Sequence, residues 1–597
     1  MIRWKCFLLL VVGAASAAGA REVEVDLKYP VPAMPVEGWS TASINFRKRI
    51  PTDIELHVAS AENVRWLSTA ATWSEKLKDN YPHKSFVNLH LLNYREETSP
   101  LGFRIGDNPS TRRPSGIRFG RSVVGLTSAR NTVKALVGGL DLSIEKARGN
   151  WEWGGSLPTG VEIADHANAK LLPDSWMGYD LLQAMVIEDF PYSDLSRAQE
   201  DAIVQWVERG GTILVSPGKS GMVFRSSLLR RLVDFTERGP QTVRTTSARL
   251  YRLAAEKVAQ WDVTVTGATS KTLAEVAPCG AGTVVVFRYD ILRPPFSGWS
   301  ELGRLLRDTS FIPMRKKSDR RFSLRWPSRE DKLPRVSAIA LMLGGYLLIL
   351  GPANYLLLRR KKRLVLMPFT IGGVAVAFTV AILVYGYVSR GIATELREFT
   401  LIRTYPDRTT AFAVSQKGIY ASGNREFGIS FGDNTALRNL TRRMDRWGSK
   451  ETPLMVRDSG QGTLEARFTS LMWEVFSFEA QAALPGFGNL RVEKRDGAVT
   501  VFNATDADLE NCWVKDSGRW YEVGKLAKLA TATNPHLSSR PPKAVMRQMP
   551  TRKYRVGPEV IVVGKAARGA EPAIPYTFIK GRARTVESNT YILGGAR

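Results

Sequence analysis

The chain has 597 residues, of which 44% are apolar and 24% charged. That length exceeds one hydrophobic core, and those fractions exclude a globally disordered chain. A formal net charge of +27 points to nucleic acid, anionic lipid or an anionic envelope polymer, or else to a generally basic surface; it says nothing about fold.

Residues 1–20 read as an export signal. Arg3 and Lys5 precede a short apolar run, and Ala18-Gly19-Ala20 supplies a small-residue cleavage site. The run is too short to span a bilayer. Loss of the leader removes Cys6 and leaves Cys279 and Cys512. These read as two small buried side chains, or as one long-range disulfide. With five scattered histidines, no metal-ligand spacing occurs, and no metal or other cofactor is expected.

Residues 21–120 alternate as short strands do (Glu22 to Leu27, Trp39 to Phe46, Asp53 to Ala59) and predict a β-sandwich. Between 121 and 313 the period changes. Val123 to Leu126 and Tyr179 to Glu188 read as apolar strands, with helices expected at Asn131 to Leu140 and Trp299 to Asp308. Ser196 opens a helix with Gln199 in capping-box position, and Gly210-Gly211 ends it. Thr212 to Ser216 follows as a strand, which makes a βαβ unit and predicts a parallel sheet. Gly282 to Tyr289 adds another strand.

Residues 314–335 form a basic linker. Arg315, Lys316, Lys317, Arg320, Arg321 and Arg325 surround Phe322 and Trp326, a mixture that suits anionic lipid head groups or nucleic acid, or a plain solvated linker. Export argues against nucleic acid. Residues 336–358 and 364–388 are apolar and long enough to cross about 30 Å of hydrocarbon. Between them Arg359, Arg360, Lys361, Lys362 and Arg363 are five consecutive charges, which belong in a turn at an interface. Short basic loops face the cytoplasm. The basic linker blurs a simple charge count, so the expected topology rests on the export signal: two passes through a bacterial inner membrane, with both soluble regions on the exported side. Gly344-Gly345 and Gly372-Gly373 are expected to let the helices pack closely. Residues 389–597 are strand-rich again, with Leu490 to Phe502 reading as a hairpin and Asn511 to Val523 and Glu559 to Val563 as further strands.

Met177 to Gly218 (MGYDLLQAMVIEDFPYSDLSRAQEDAIVQWVERGGTILVSPG) resembles the core of a class I glutamine-amidotransferase-like domain, in the degenerate form found in bacterial membrane proteins of unknown function. Gly351-Pro352-Ala353-Asn354-Tyr355, Gly280 to Leu292 and the strands around Asn503 resemble the same multidomain proteins, so about half the chain is covered in patches. The resemblance implies a multidomain α/β plus β protein. Its parts would be an N-terminal β-sandwich, an amidotransferase-like domain with a parallel sheet, a two-helix transmembrane hairpin and a β-rich C-terminal domain.

Active members of that family place a cysteine on a G-x-C-x-G elbow and activate it with a distant histidine. Here Ser216 stands at the cysteine position of Leu214-Val215-Ser216-Pro217-Gly218, and no histidine lies between it and the hairpin. Pro217 has no N–H to offer an oxyanion. The expectation is a non-catalytic envelope protein that binds or scaffolds other membrane or envelope proteins, with a hydrolase or a transport-complex subunit as alternatives. Glu188 and Asp189 end a strand at the carboxyl edge, where open α/β sheets take ligands; with Ser216 and Lys219 they either line a crevice or form an ordinary polar strand end. Gly218-Lys219-Ser220 lacks the rest of a phosphate-binding loop.

Overall fold

The computed structural model describes strands between 25 and 165 by their backbone. It describes residues 172–244, 257–296, 336–440, 463–533 and 574–595 with isolated gaps, and a few further short strands. The leader, the helices expected at 131–140 and 299–308, and the basic linker with Arg315, Lys316, Lys317, Arg320, Arg321 and Arg325 lie outside the described residues.

The α/β unit is built on a mixed sheet. Strands β1 (Arg118–Leu126), β2 (Gly160–Asp165), β3 (Leu182–Ile187), β4 (Thr212–Val215), β5 (Ala274–Cys279) and β6 (Gly282–Phe287) pair in the order β2-β1-β3-β4-β6-β5. The first five in that order run parallel, β5 lies antiparallel to β6, and the two-residue strand Thr269–Ser270 closes the edge beyond it. Helix α1 (Arg197–Glu208) crosses from β3 to β4, as the βαβ pattern predicts. Ser196 accepts from the Gln199 N–H, and the Gln199 side chain accepts from the Ser196 N–H, so two orphan donors at the helix start are satisfied. Ile203, Trp206 and Val207 are fully buried on its inner face; burial of an aliphatic side chain of this size stabilises by about 1.5–3 kcal/mol. Gly210 ends the helix at φ +114°, a conformation that an L side chain resists.

Strands of the N-terminal region do not stay in one sheet. Val25–Lys28, Glu37–Phe46 and Lys84–Leu92 form an antiparallel sheet, and Ala33–Met34 lies beside β1. Ile54–Ser60, Thr69–Glu75, Leu101–Ile105 and Asn108–Ser110 instead extend a C-terminal sheet through a parallel pairing of Thr69–Glu75 with Leu454–Asp458.

After the hairpin come β7 (Glu395–Arg403), β8 (Ala411–Tyr420) and β9 (Val475–Leu484), central strands of a nine-stranded sheet. Leu490–Arg495 and Ala498–Asn503 form the predicted hairpin. The expected strand at 511–523 is two strands, Leu509–Asp516 and Arg519–Leu526. Phe427, Phe431, Phe468, Phe476 and Phe478 pack between the C-terminal sheets. Within that core, Lys417 and its cross-strand partner Glu398 form a buried ion pair, and the ammonium sits 3.9 Å from the Tyr576 ring centre. Burial pushes the Lys417 pKa down to about 8, against the pull of Glu398. Thr400 and Ser415 also donate to Glu398, which satisfies the carboxylate.

Two helical stretches, Ile339–Arg360 and Leu364–Gly386, are long and apolar enough to cross a membrane. The first is helix α2 (Val336–Leu348), a π-helical segment with Pro352 (Ile349–Ala353) and helix α3 (Asn354–Arg360). The ring of Pro352 removes one N–H from the ladder, and the wider turn accommodates it. Arg359 and Arg360 belong to α3, so the turn proper is Lys361–Arg363, with Lys362 at φ +49°. All five cationic residues are exposed. Helix α4 (Met367–Arg390) returns. The expected glycine packing is absent: a Cβ on Gly344, Gly345, Gly372 or Gly373 would meet nothing within 4 Å. The Tyr346 and Phe378 rings, 5.1 Å apart, hold the helices at aromatic spacing, and Asn354 donates to Thr370 Oγ1 at 3.0 Å.

The α/β unit and the C-terminal β-rich body are bonded to each other. Arg408, just after β7, donates to the carbonyls of Arg231 and Leu232, and Arg209 donates to Gln481 at 2.7 Å. Asn434 donates to Gln205 at 3.3 Å.

Ser196→Ala removes the side-chain half of the capping box. Thermal melting of the detergent-solubilised chain is expected to register a loss of about 1 kcal/mol.

Candidate functional site

Parallel register brings the site together. Ile187 of β3 pairs with Val215 of β4, which pairs with Val286 of β6. The residues that leave these strands therefore emerge side by side at the carboxyl edge. Glu188 and Asp189 follow β3, Ser216 follows β4, and Asp290 and Arg293 follow β6.

Asp189 is committed to the loop after β4. Its Oδ2 accepts from the backbone N–H of Lys219 at 2.9 Å and of Ser220 at 3.1 Å. Its Oδ1 accepts from the Ser220 hydroxyl at 2.8 Å and from the Met222 N–H at 3.3 Å. Successive amides converging in this way make an anion-binding nest, and the anion in it is the chain's own carboxylate. Gly218 permits the approach: it sits at φ +65°, and a Cβ there would stand 2.5 Å from the Asp189 carboxylate. Lys219 contributes its N–H to the nest, while its side chain is exposed.

Ser216 is fully buried. Its Oγ donates to Asp290 Oδ1 at 3.1 Å, and its N–H donates to the Ile187 carbonyl at 2.8 Å. Both groups are thus engaged within the protein, and Pro217 offers no N–H beside them. Of the histidines, His57, His90 and His536 belong to strands of other sheets. His83 and His166 lie outside the described residues.

Glu188 has the opposite fate from its neighbour. It is fully buried, and neither carboxylate oxygen has a hydrogen-bond partner. Arg293 Nη2 approaches to 3.4 Å, too long and misaligned for more than a loose ion pair. Burial pushes the Glu188 pKa up to about 7, with Asp290 adding to the rise and Arg293 opposing it. Asp290 is raised as well, chiefly by burial, against Arg293 and the Ser216 hydrogen bond. Arg293 Nε stands 3.5 Å from Asp290 Oδ2. The cluster therefore holds one carboxyl that exchanges its proton near neutrality, and one serine whose proton points to a carboxylate.

The structure thus brings Glu188, Asp189 and Ser216 to one edge, keeps Lys219 peripheral, and adds Asp290 and Arg293. Sequence reading passed over those two. The signal was available, since both lie within six residues of the end of a buried parallel strand. Among the described residues no group of three or more His, Cys, Asp or Glu is arranged to hold a metal. Cys279 and Cys512 are both free and buried, in separate hydrophobic clusters.

No family model and no curated protein matches the chain. Among solved structures, 34% of the chain is similar to 97% of the Fcho1 Mu homology domain of Danio rerio with bound Eps15 peptide, at 8% identity and a TM-score of 0.21. Likewise 35% is similar to 96% of a yeast delta-COP-I mu-homology domain complexed with a Dsl1 WxWxV peptide, at 7% identity and a TM-score of 0.19. Likeness at this level carries no argument about fold or function.

Two outcomes test the site. Asp189→Ala empties the nest and strands several donors, so the melting temperature is expected to fall by the equivalent of about 2–4 kcal/mol. Glu188→Gln tests the buried acid. A carboxyl raised from 4.5 to about 7 by folding contributes stability that is present below pH 4.5 and lost as pH rises to 7. The glutamine variant lacks that loss. Its stability relative to the parent is expected to grow between pH 4.5 and 7. The gain levels off at roughly 3 kcal/mol, since each tenfold change in proton affinity is worth about 1.4 kcal/mol. A difference that does not change with pH would contradict the buried-acid assignment.

Proposed function

We propose that this chain is a membrane-anchored, non-catalytic envelope protein that works as a binding or scaffold component. Its α/β unit is a class I glutamine-amidotransferase-like domain whose ordinary chemistry has been lost. The observation that carries this reading is the nest after β4. Amides that would serve a ligand or an oxyanion are spent on Asp189, next to a serine hydrogen-bonded to Asp290 and a proline without an N–H.

The layout rests on two further supports. Two helices are long and apolar enough to span a membrane, and hydrogen bonds join residues before the hairpin to residues after it. Such bonds favour both soluble regions on one side of the bilayer, and the leader argues that this is the exported side of a bacterial inner membrane. The exposed turn of Arg359, Arg360, Lys361, Lys362 and Arg363 would then meet anionic head groups at the cytoplasmic face. Arg315, Lys316, Lys317, Arg320, Arg321 and Arg325 would meet those of the outer leaflet. The hairpin's apolar surface, with Leu341, Val365 and Phe369 strongly exposed, suits lipid and other membrane proteins.

One observation favours a second reading. Glu188, with a pKa of about 7, has the proton affinity of a general acid, as a hydrolase of altered mechanism would need. Ser216→Ala separates the two. Under the scaffold reading, purified parent and variant hydrolyse amide and ester substrates equally poorly and copurify the same integral membrane partners. A Ser216-dependent hydrolysis would overturn that reading. Reporter fusions after Gly391 are expected to signal the exported side; a cytoplasmic signal would invert the layout.

A further inference from the structure

The sheet end opposite the crevice carries a second set of buried charges, which lies between the two soluble units. Helix α1 ends there at Glu208, whose side chain is 5% exposed. The loop after β7 delivers Asp407 and Arg408 from the other unit. Arg408 Nη1 donates to the Arg231 carbonyl at 2.9 Å, and Nη2 donates to the Leu232 carbonyl and to Cys279 Sγ at 3.0 Å. Asp407 Oδ2 accepts from the Gly280 N–H at 3.2 Å. These bonds join the units whatever the state of Glu208.

Glu208 Oε1 lies 3.7 Å from Arg408 Nε, beyond hydrogen-bond distance, and Arg408 Nε is buried with no hydrogen bond, between Glu208 and Asp407 Oδ2 at 3.6 Å. The groups facing Glu208 are Arg408 and Asp407 from the β-rich body, Arg231 from helix Ser227–Leu232, and Cys279 at the end of β5. Arg231 also engages Glu200 and Asp201. An ionised Glu208 would thus be buried with no close donor from Arg408, and Asp407 is a second carboxylate against the same guanidinium.

We propose that the contact between the α/β unit and the C-terminal β-rich body is a proton-gated latch, closed most firmly with Glu208 protonated and loosened when Glu208 ionises. Docking buries the carboxyl, and desolvation pushes its pKa up to about 7, opposed by Arg408 and Arg231 and reinforced by Asp407. In the open form the carboxyl is hydrated and titrates near its ordinary value of 4.5. Between those values the open form has released a proton that the docked form keeps. Docking is therefore strongest below pH 4.5, weakens as pH rises to 7, and is constant above it. The latch does not depend on what the crevice binds.

Cys279 and Cys512 make the latch measurable in the full-length, detergent-solubilised chain. Cys279 lies at the contact under Arg408, and burial pushes its thiol up to about 12, so it reacts only when uncovered. Cys512 is buried in the C-terminal core and reports unfolding of that body. Maleimide labelling of each thiol is followed by peptide mass spectrometry from about pH 5.5 to 7.5, a range that brackets the docked titration. Dividing the parent rate by that of Glu208→Gln at each pH cancels the reagent's own pH dependence. The ratio for Cys279 is expected to rise about 20-fold across this range, and the ratio for Cys512 to stay flat. A flat Cys279 ratio, or a joint rise at both thiols, overturns the latch. If Glu208→Gln does not fold, the ratio of Cys279 to Cys512 labelling in the parent serves instead: a rise with pH is expected, and a constant ratio rejects the proposal.

Discussion

Arg408 holds a position on which the arrangement of the soluble body depends. The chain leaves the α/β unit, makes its apolar excursion through α2, α3 and α4, and comes back as β7. Arg408 then places its guanidinium on the carbonyls of Arg231 and Leu232. Those carbonyls end a short helix and lack acceptor-satisfying partners within it, so a cation there meets both an orphan acceptor and the negative end of the helix. The same side chain contacts Cys279 and flanks Glu208. Leaving such a buried carbonyl unpaired costs roughly 1–3 kcal/mol. These bonds join the soluble region before the hairpin to the one after it.

At the other end of the sheet, two adjacent carboxylates have opposite fates. Successive residues leaving a strand point in opposite directions. Asp189 turns into the loop after β4 and is met by the N–H groups of Lys219, Ser220 and Met222. Glu188 turns inward, where only the loosely placed Arg293 compensates its burial. A satisfied carboxylate of the first kind rigidifies a loop; an unsatisfied one of the second kind keeps its proton to about neutral pH. The fold thus seals its own anion nest and holds a proton-exchanging group beneath it.

The C-terminal core treats its charge differently. Lys417 and Glu398 are as deeply buried as the aliphatic residues around them, yet Glu398 also accepts from Thr400 and Ser415, and Tyr576 covers the ammonium. Burial still wins over the attraction and lowers the lysine pKa. By the balance of desolvation against Coulomb energy, such a pair adds little net stability.

Sequence alone was sufficient wherever a local rule controls the outcome. The capping box at Ser196, the stop at Gly210, the βαβ order, the two apolar spans and the missing N–H at Pro217 are set by neighbouring residues and appear in the fold as read. Tertiary structure decided what depends on distant pairings. Thr69–Glu75 finds its partner strand at Leu454–Asp458, and the hairpin glycines face open space while Tyr346 and Phe378 meet between the helices. Asp290, Arg293 and Arg408 are ordinary polar residues in the sequence. They acquire roles only because parallel register aligns three strand ends and because the chain returns after its apolar excursion to bond with itself. Burial, which shifted Glu188 and Glu208 toward neutrality, belongs to neighbours brought together by folding, and no local pattern encodes it.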